Sequence, residues 1–112
     1  MSYGSSFEFV SCIAKGHANY AKKGADIVCS AVSILLRTTV LSLDENVKLN
    51  ENLKVNVECK ERGNMKICVN EWDSISTPFL SFLFSFLEKG FKSLSSEYPS
   101  HVRVEILPYK VN

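Results

Sequence analysis

Cysteine, glycine and proline are scarce in this chain: four, five and three among 112 residues. The cysteines (Cys12, Cys29, Cys59 and Cys68) are too few for a disulfide scaffold, and none are spaced as CxxC. No pair has finger-like spacing either, and a zinc site needs four convergent ligands. So little glycine and proline excludes collagen-like repeats and low-complexity linkers. Neither sign of charge dominates, since 13 Lys and Arg face 12 Asp and Glu for a net +1. That balance supplies no field for a polyanion, and no RNP, KH or double-stranded-RNA pattern is present. Long apolar runs are missing too. The two longest, 27–36 and 79–87, are broken by serines and fall short of the ~20 residues a bilayer span needs. Residues 1–6 show neither a basic nor an apolar leader segment, and Ser2 stands where N-myristoylation requires glycine. These absences predict a cytoplasmic chain with free thiols, no membrane and no direct nucleic-acid partner.

What is present describes one globular domain over residues 1–112. Hydrophobic residues make up 46% and charged residues 22%, close to the soluble average. A chain of this length buries roughly 65% of its unfolded surface, enough for one core without staples.

Residues 7–14 (FEFVSCIA) are rich in β-branched and aromatic side chains and read as a strand. Residues 15–26 carry two glycines and no periodicity, which predicts a loop ending at Asp26 as a helix N-cap. Ile27, Val28, Ala31, Val32, Leu35, Leu36, Val40 and Leu43 then share a broad helical face, and the helix is expected to stop before Asn46. Leu53, Val55, Val57 and Cys59 alternate with polar residues, as do Met65, Ile67 and Val69. The two runs predict a hairpin turning at 62–64, with Gly63 or Asn64 at a positive φ. Its apolar positions are odd-numbered on both strands, so odd must pair with odd. Cys59 is then expected to face the core and Cys68 to face away.

Thr77-Pro78 looks like a cap followed by proline at the first helical position. The run from Phe79 to Leu94 predicts a second helix, too apolar to keep one side wet. After Tyr98-Pro99, the alternating HVRVEIL of 101–107 predicts a closing strand. The order is β–α–β–β–α–β: an α+β, two-layer domain with a mostly antiparallel sheet and two helices on it.

One segment can carry chemistry. Cys29 falls three residues after the expected cap, where free backbone N–H groups and the helix dipole favour a thiolate and an oxyanion. His17 lies across a loop bounded by Gly16 and Gly24. If that loop folds back, imidazole and sulfur form the pair that nucleophilic cysteine chemistry needs. By spacing alone, a buried structural thiol and a solvated histidine are the commoner reading of such a pair.

Gly16-His17-Ala18, Gly24 and the run Asp26-Ile27-Val28-Cys29-Ser30-Ala31-Val32-Ser33 resemble the signature of the bacterial ribosomal-processing cysteine proteases. The twelve positions from His17 to Cys29 agree with it, as do a late Glu97-Tyr98-Pro99 and the closing Val102 to Glu105. Ser30 stands where alanine is more usual. The resemblance implies a cysteine endopeptidase, without cofactor or metal, that trims a short N-terminal extension from a large-subunit ribosomal protein. It implies Cys29 as nucleophile, His17 as general base, Asp26 and Ser33 as supporting groups, and Gly16 and Gly24 as loop hinges. Asp26 also fits a plain cap, and Ser33 fits a helix filler. The family usually has two strands before its histidine. Here sixteen residues precede His17, so the first strand is expected to be shortened or missing.

The resemblance also implies a homodimer, in agreement with the excess phenylalanine of the second helix. A non-catalytic assembly factor binding the same ribosomal protein is the alternative function; it would have no need of an intact His17/Cys29 pair. His101 and Lys22-Lys23 read as solvated, and Trp72 and Tyr109 as core or interface.

Overall fold

Residues 1–15, 25–61 and 64–109 are described by the computed structural model. They form β1 (Ser2–Tyr3), β2 (Phe9–Ala14), α1 (Ala25–Leu49), β3 (Lys54–Glu61), β4 (Asn64–Glu71), α2 (Thr77–Glu97) and β5 (Leu107–Pro108). The strands make one sheet in the order β3-β4-β2-β1-β5, antiparallel except where β5 runs parallel to β1. Both helices pack on it, α1 on β3 and α2 on β2. The α+β two-layer architecture stands as expected.

The hairpin keeps the predicted register where apolar alternation is strict. Val55 lies opposite Val69, Val57 opposite Ile67, and Asn56 opposite Cys68. Any one-residue slip would turn Ile67 and Val69, both buried, toward solvent. Between Glu58 and Glu61 the register shifts. Cys59 falls in that irregular stretch, loses the alternation that would turn it inward, and is exposed. Asn64 already belongs to β4, and residues 62 and 63 of the expected turn lie outside the described residues.

Both ends of the sheet differ from the expectation. The first long strand starts at Phe9, two residues late. A turn precedes it, closed by Gly4 N–H to Glu8 O (2.9 Å) and Phe7 N–H to Gly4 O (2.9 Å), with Phe7 at φ 57. Ahead of that turn, β1 pairs antiparallel with β2, so the family's first strand is present but two residues long. Of the expected closing strand at 101–107, ladder pairing is limited to Leu107 and Pro108. Upstream, Val102, Val104 and Ile106 are half-buried while Arg103 and Glu105 are exposed, which preserves the predicted alternation. The ladder stays short because β1 presents only two residues to pair with.

α1 begins at Ala25 and runs to Leu49, so Asp26 sits inside the first turn instead of capping it. Asn46 does not end the helix, because its side-chain amide donates to Ser42 O at 2.9 Å. The buried Thr39 is satisfied in the same way by Leu35 O at 2.8 Å. Over Ile27–Leu49 this helix is long and apolar enough to cross a membrane, which the shorter serine-broken runs did not suggest. Val28, Leu36, Thr39 and Leu43 are nonetheless buried in the domain.

α2 is capped at Ser76, one residue before the expected Thr77, with no side-chain cap bond. Its entry is tied instead to the end of α1. Asn50 donates to Asp73 Oδ1 (2.9 Å) and Ser76 Oγ (2.8 Å), and Asn52 donates to Asp73 Oδ2 (2.9 Å). The Asn50 bond, then the Asn52 bond, hold the Asp73 carboxyl below the usual carboxylate range. Leu80, Leu83, Phe84, Leu87 and Phe91 form the buried face of α2 and meet Phe9, Leu36, Leu43 and Ile67 in the core. At Gly90 the two helices approach so closely that a β-carbon would lie 3.2 Å from Leu35 Cδ1.

Candidate active site

Strand β2 ends at Ala14 near the centre of the sheet, and α1 starts at Ala25 above its β3 side. The segment between them, 16–24, holds His17, Gly16 and Gly24, all of which lie outside the described residues. Only the backbone of Asp26 is described. The expected meeting of His17 with Cys29 therefore involves one residue, His17, that lies outside the described residues.

Cys29 is half-buried in the second turn of α1. The helix start at Ala25 places it two residues deeper than the sequence suggested. The N–H groups without intrahelical partners belong to the turn before it. Donors for an oxyanion would thus come from the first turn of α1, with the sulfur behind them. Ser33 lies one turn below Cys29 on the same side of the helix and is exposed. The flank shared by these two residues is opposite Leu35, which faces α2 across Gly90.

The four thiols are free and differ sharply in setting. Cys12 is 5% exposed within the core, and burial pushes its thiol up, with a smaller opposing pull from the terminal ammonium. Cys12 is expected to alkylate slowest of the four at neutral pH, by site-resolved iodoacetamide labelling. Its raised folded value has a signed consequence for stability. The contribution is fully present below the unfolded thiol value and declines as pH rises from there through the folded value. Urea unfolding should lose stability in the alkaline range, and Cys12→Val should flatten that decline.

Among the described residues, no group of three His, Cys, Asp or Glu is arranged to hold a metal ion. His101 is exposed in the turn after α2, its N–H bonded to Tyr98 O at 3.0 Å. Trp72 packs against the core and donates from Nε1 to Glu8 Oε2 at 3.1 Å. Glu8 is 4% exposed, a buried carboxylate that its place in an apolar run did not announce.

The described part of the site is thus a half-buried cysteine in the opening turns of α1, in a two-layer α+β domain. The chain belongs to the cysteine protease Prp family, which matches it over residues 3–103. It is 29% identical over 99 residues to the ribosomal processing cysteine protease Prp of Mycoplasma genitalium, covering 88% of this chain and 89% of that one. The fold is similar to SMU.848 from Streptococcus mutans (TM-score 0.71, 24% identity, 96% of this chain and 90% of that one). It is also similar to an essential ribosomal processing protease Prp from S. aureus, solved with a substrate peptide (TM-score 0.69, 16% identity, 94% and 93%). The family suggested by Gly16-His17-Ala18 and the run from Asp26 to Ser33 is the family found.

Proposed function

We propose that the chain is a cytoplasmic cysteine endopeptidase that removes a short N-terminal extension from a large-subunit ribosomal protein. The reading is carried by the family match over residues 3–103, with the His17 and Cys29 of the motif both in place. In this reading the Cys29 thiolate attacks the scissile carbonyl, and first-turn N–H groups of α1 receive the developing oxyanion. Collapse expels the amine, which takes its proton from the His17 imidazolium. Water, deprotonated by His17, then hydrolyses the thioester and regenerates the thiolate. Asp26 and Ser33 support the pair, Gly16 and Gly24 hinge the loop, and the chemistry calls for no cofactor. The test is incubation of the protein with a synthetic peptide spanning the extension junction, followed by mass spectrometry. Two separate fragments, from hydrolysis of a single bond, are expected. An intact peptide that binds without cleavage would instead support the accessory-factor reading.

The active form is proposed to be a homodimer. Phe82 and Phe86 are 68% and 51% exposed on α2, with their rings stacked at 6.1 Å. Ile27, Ile34 and Leu41, spaced by seven, form an exposed stripe along α1. A soluble monomer rarely leaves apolar patches much above ~400 Å² uncovered, and two-fold pairing is the commonest way to cover them. Light scattering at micromolar concentration should give about twice 12.6 kDa. The double variant Phe82→Asp, Phe86→Asp should give a monomer, and a monomeric wild type would overturn the proposal.

A further inference from the structure

Glu8 has no part in the proposed chemistry, yet its carboxylate is buried just ahead of β2 with both oxygens engaged. Oε1 accepts the N–H of Ser6, and Oε2 accepts Trp72 Nε1–H at 3.1 Å from just beyond β4. The chain folds around this carboxylate so closely that a β-carbon at Gly4 would lie 3.0 Å from Oε2.

The turn that leads to Glu8 is held against its own preference. Phe7 takes φ 57, in the left-handed region that aromatic residues avoid, and its side chain is 62% exposed. Such a conformation persists only where the surroundings over-determine it. Here Glu8 fixes Ser6, Ser81 Oγ–H donates to Ser6 O at 2.9 Å, and the Phe7 ring stacks on Tyr3 at 5.4 Å. Ahead of the turn, β1 has only two residues with which to grip the sheet. The last strand depends on β1 in turn. At the edge of the sheet, β5 has β1 as its neighbour, with Leu107 N–H bonded to Met1 O (3.1 Å) and Tyr109 N–H to Tyr3 O (2.7 Å).

We infer that residues 1–7, with β5 attached, form a strap that opens and closes as one unit, latched by the Glu8 carboxylate and sprung by the strain at Phe7. Opening lets Phe7 relax to an extended backbone and hydrates Glu8, which offsets much of the bonding given up. It also turns β2 from an inner strand into the edge of the sheet at Phe9 and Ser11, the two residues that β1 covers. β2 leads directly into the segment that holds His17, so the strap decides whether that strand is held on both sides or on one. The device stands apart from the protease reading, since it needs neither substrate nor thiol.

Native-state amide hydrogen exchange on the full chain tests it. The N–H groups of Gly4, Phe7, Leu107 and Tyr109 should share one opening constant, about tenfold or more above that of the β4 amides. Glu8→Gln puts an NH₂ group where an N–H needs an acceptor. It should raise the shared constant about tenfold and red-shift the fluorescence of Trp72, the one tryptophan of the chain, with β4 exchange unchanged. Phe7→Ala and Phe7→Gly both remove the ring stack and differ only in backbone freedom. The glycine variant should open about fivefold less often than the alanine variant, at Leu107 and Tyr109 as well as in the turn. Leu107 and Tyr109 exchanging independently of Gly4 and Phe7, or all four exchanging only together with β4, would overturn the inference. Equal opening in the two Phe7 variants would do the same. If Glu8→Gln speeds β4 exchange as much as that of the strap, the carboxylate is a brace for the whole core, and the latch is overturned.

Discussion

Cys29→Ala is expected to lower cleavage of the junction peptide by at least ~10⁴-fold, the scale on which hydrolases lose rate when their nucleophile is removed. Nothing else near the site in sequence supplies a comparable nucleophile: the neighbouring hydroxyls of Ser30 and Ser33 are weak at neutral pH without a base of their own. His17→Ala should cost nearly as much, because the same imidazole serves as base in attack and acid in amine departure. Cys29 is half-buried, so its truncation to alanine should change folding stability by no more than about 1 kcal/mol. Activity and stability then separate cleanly, by a fragment assay and a melting curve on the same sample. Asp26→Ala should reduce activity partly and cost about 0.5 kcal/mol, since a first-turn carboxylate favours the helix dipole. Full cleavage by the alanine variant at position 29 would remove the thiol mechanism.

Leu87→Ala should have the largest effect on stability. Leu87 has no exposed surface and sits on the buried face of α2 among the residues that join helix to sheet. Deleting three carbons there loses their transfer energy and leaves a cavity that rigid neighbours close only in part, for about 3 kcal/mol. Domains of this size have about 5–15 kcal/mol in total, so the variant should unfold at a markedly lower urea midpoint. Ile75→Ala is the control. With 76% of its surface exposed ahead of α2, it should change stability by no more than about 0.5 kcal/mol. Equal effects at the two positions would mean that α2 is not seated as described.

Local pattern carried a large part of the architecture. Period-two alternation in 53–59 and 65–69 was enough to set the hairpin register, because a slip exposes a whole apolar face at once. The inner side of α2 was not legible in this way: its apolar residues surround the helix, and only packing on the sheet selected Leu80, Leu83, Phe84, Leu87 and Phe91 while leaving Phe82 and Phe86 exposed. The motif from Gly16 to Ser33 pointed to the family, since a nucleophile, a base and a helix start must recur at nearly fixed spacing for the chemistry to work.

Other features had no local signal. β1 is two residues long and shows no period, and its pairing with β5 joins the two ends of the chain. Cys59 follows the apolar alternation and is nevertheless exposed, because the ladder shifts beside it. Glu8 sits in an apolar run and is buried, because Trp72, 64 residues away, comes to bond it. By itself, then, the sequence determined the register of the hairpin and the broad inward face of α1, since those depend on neighbours two to four residues apart. Only the tertiary structure decided which elements adjoin, which side of α2 meets the core and where the β3–β4 ladder shifts. Those outcomes depend on contacts between residues far apart in the chain, which no short-range pattern encodes.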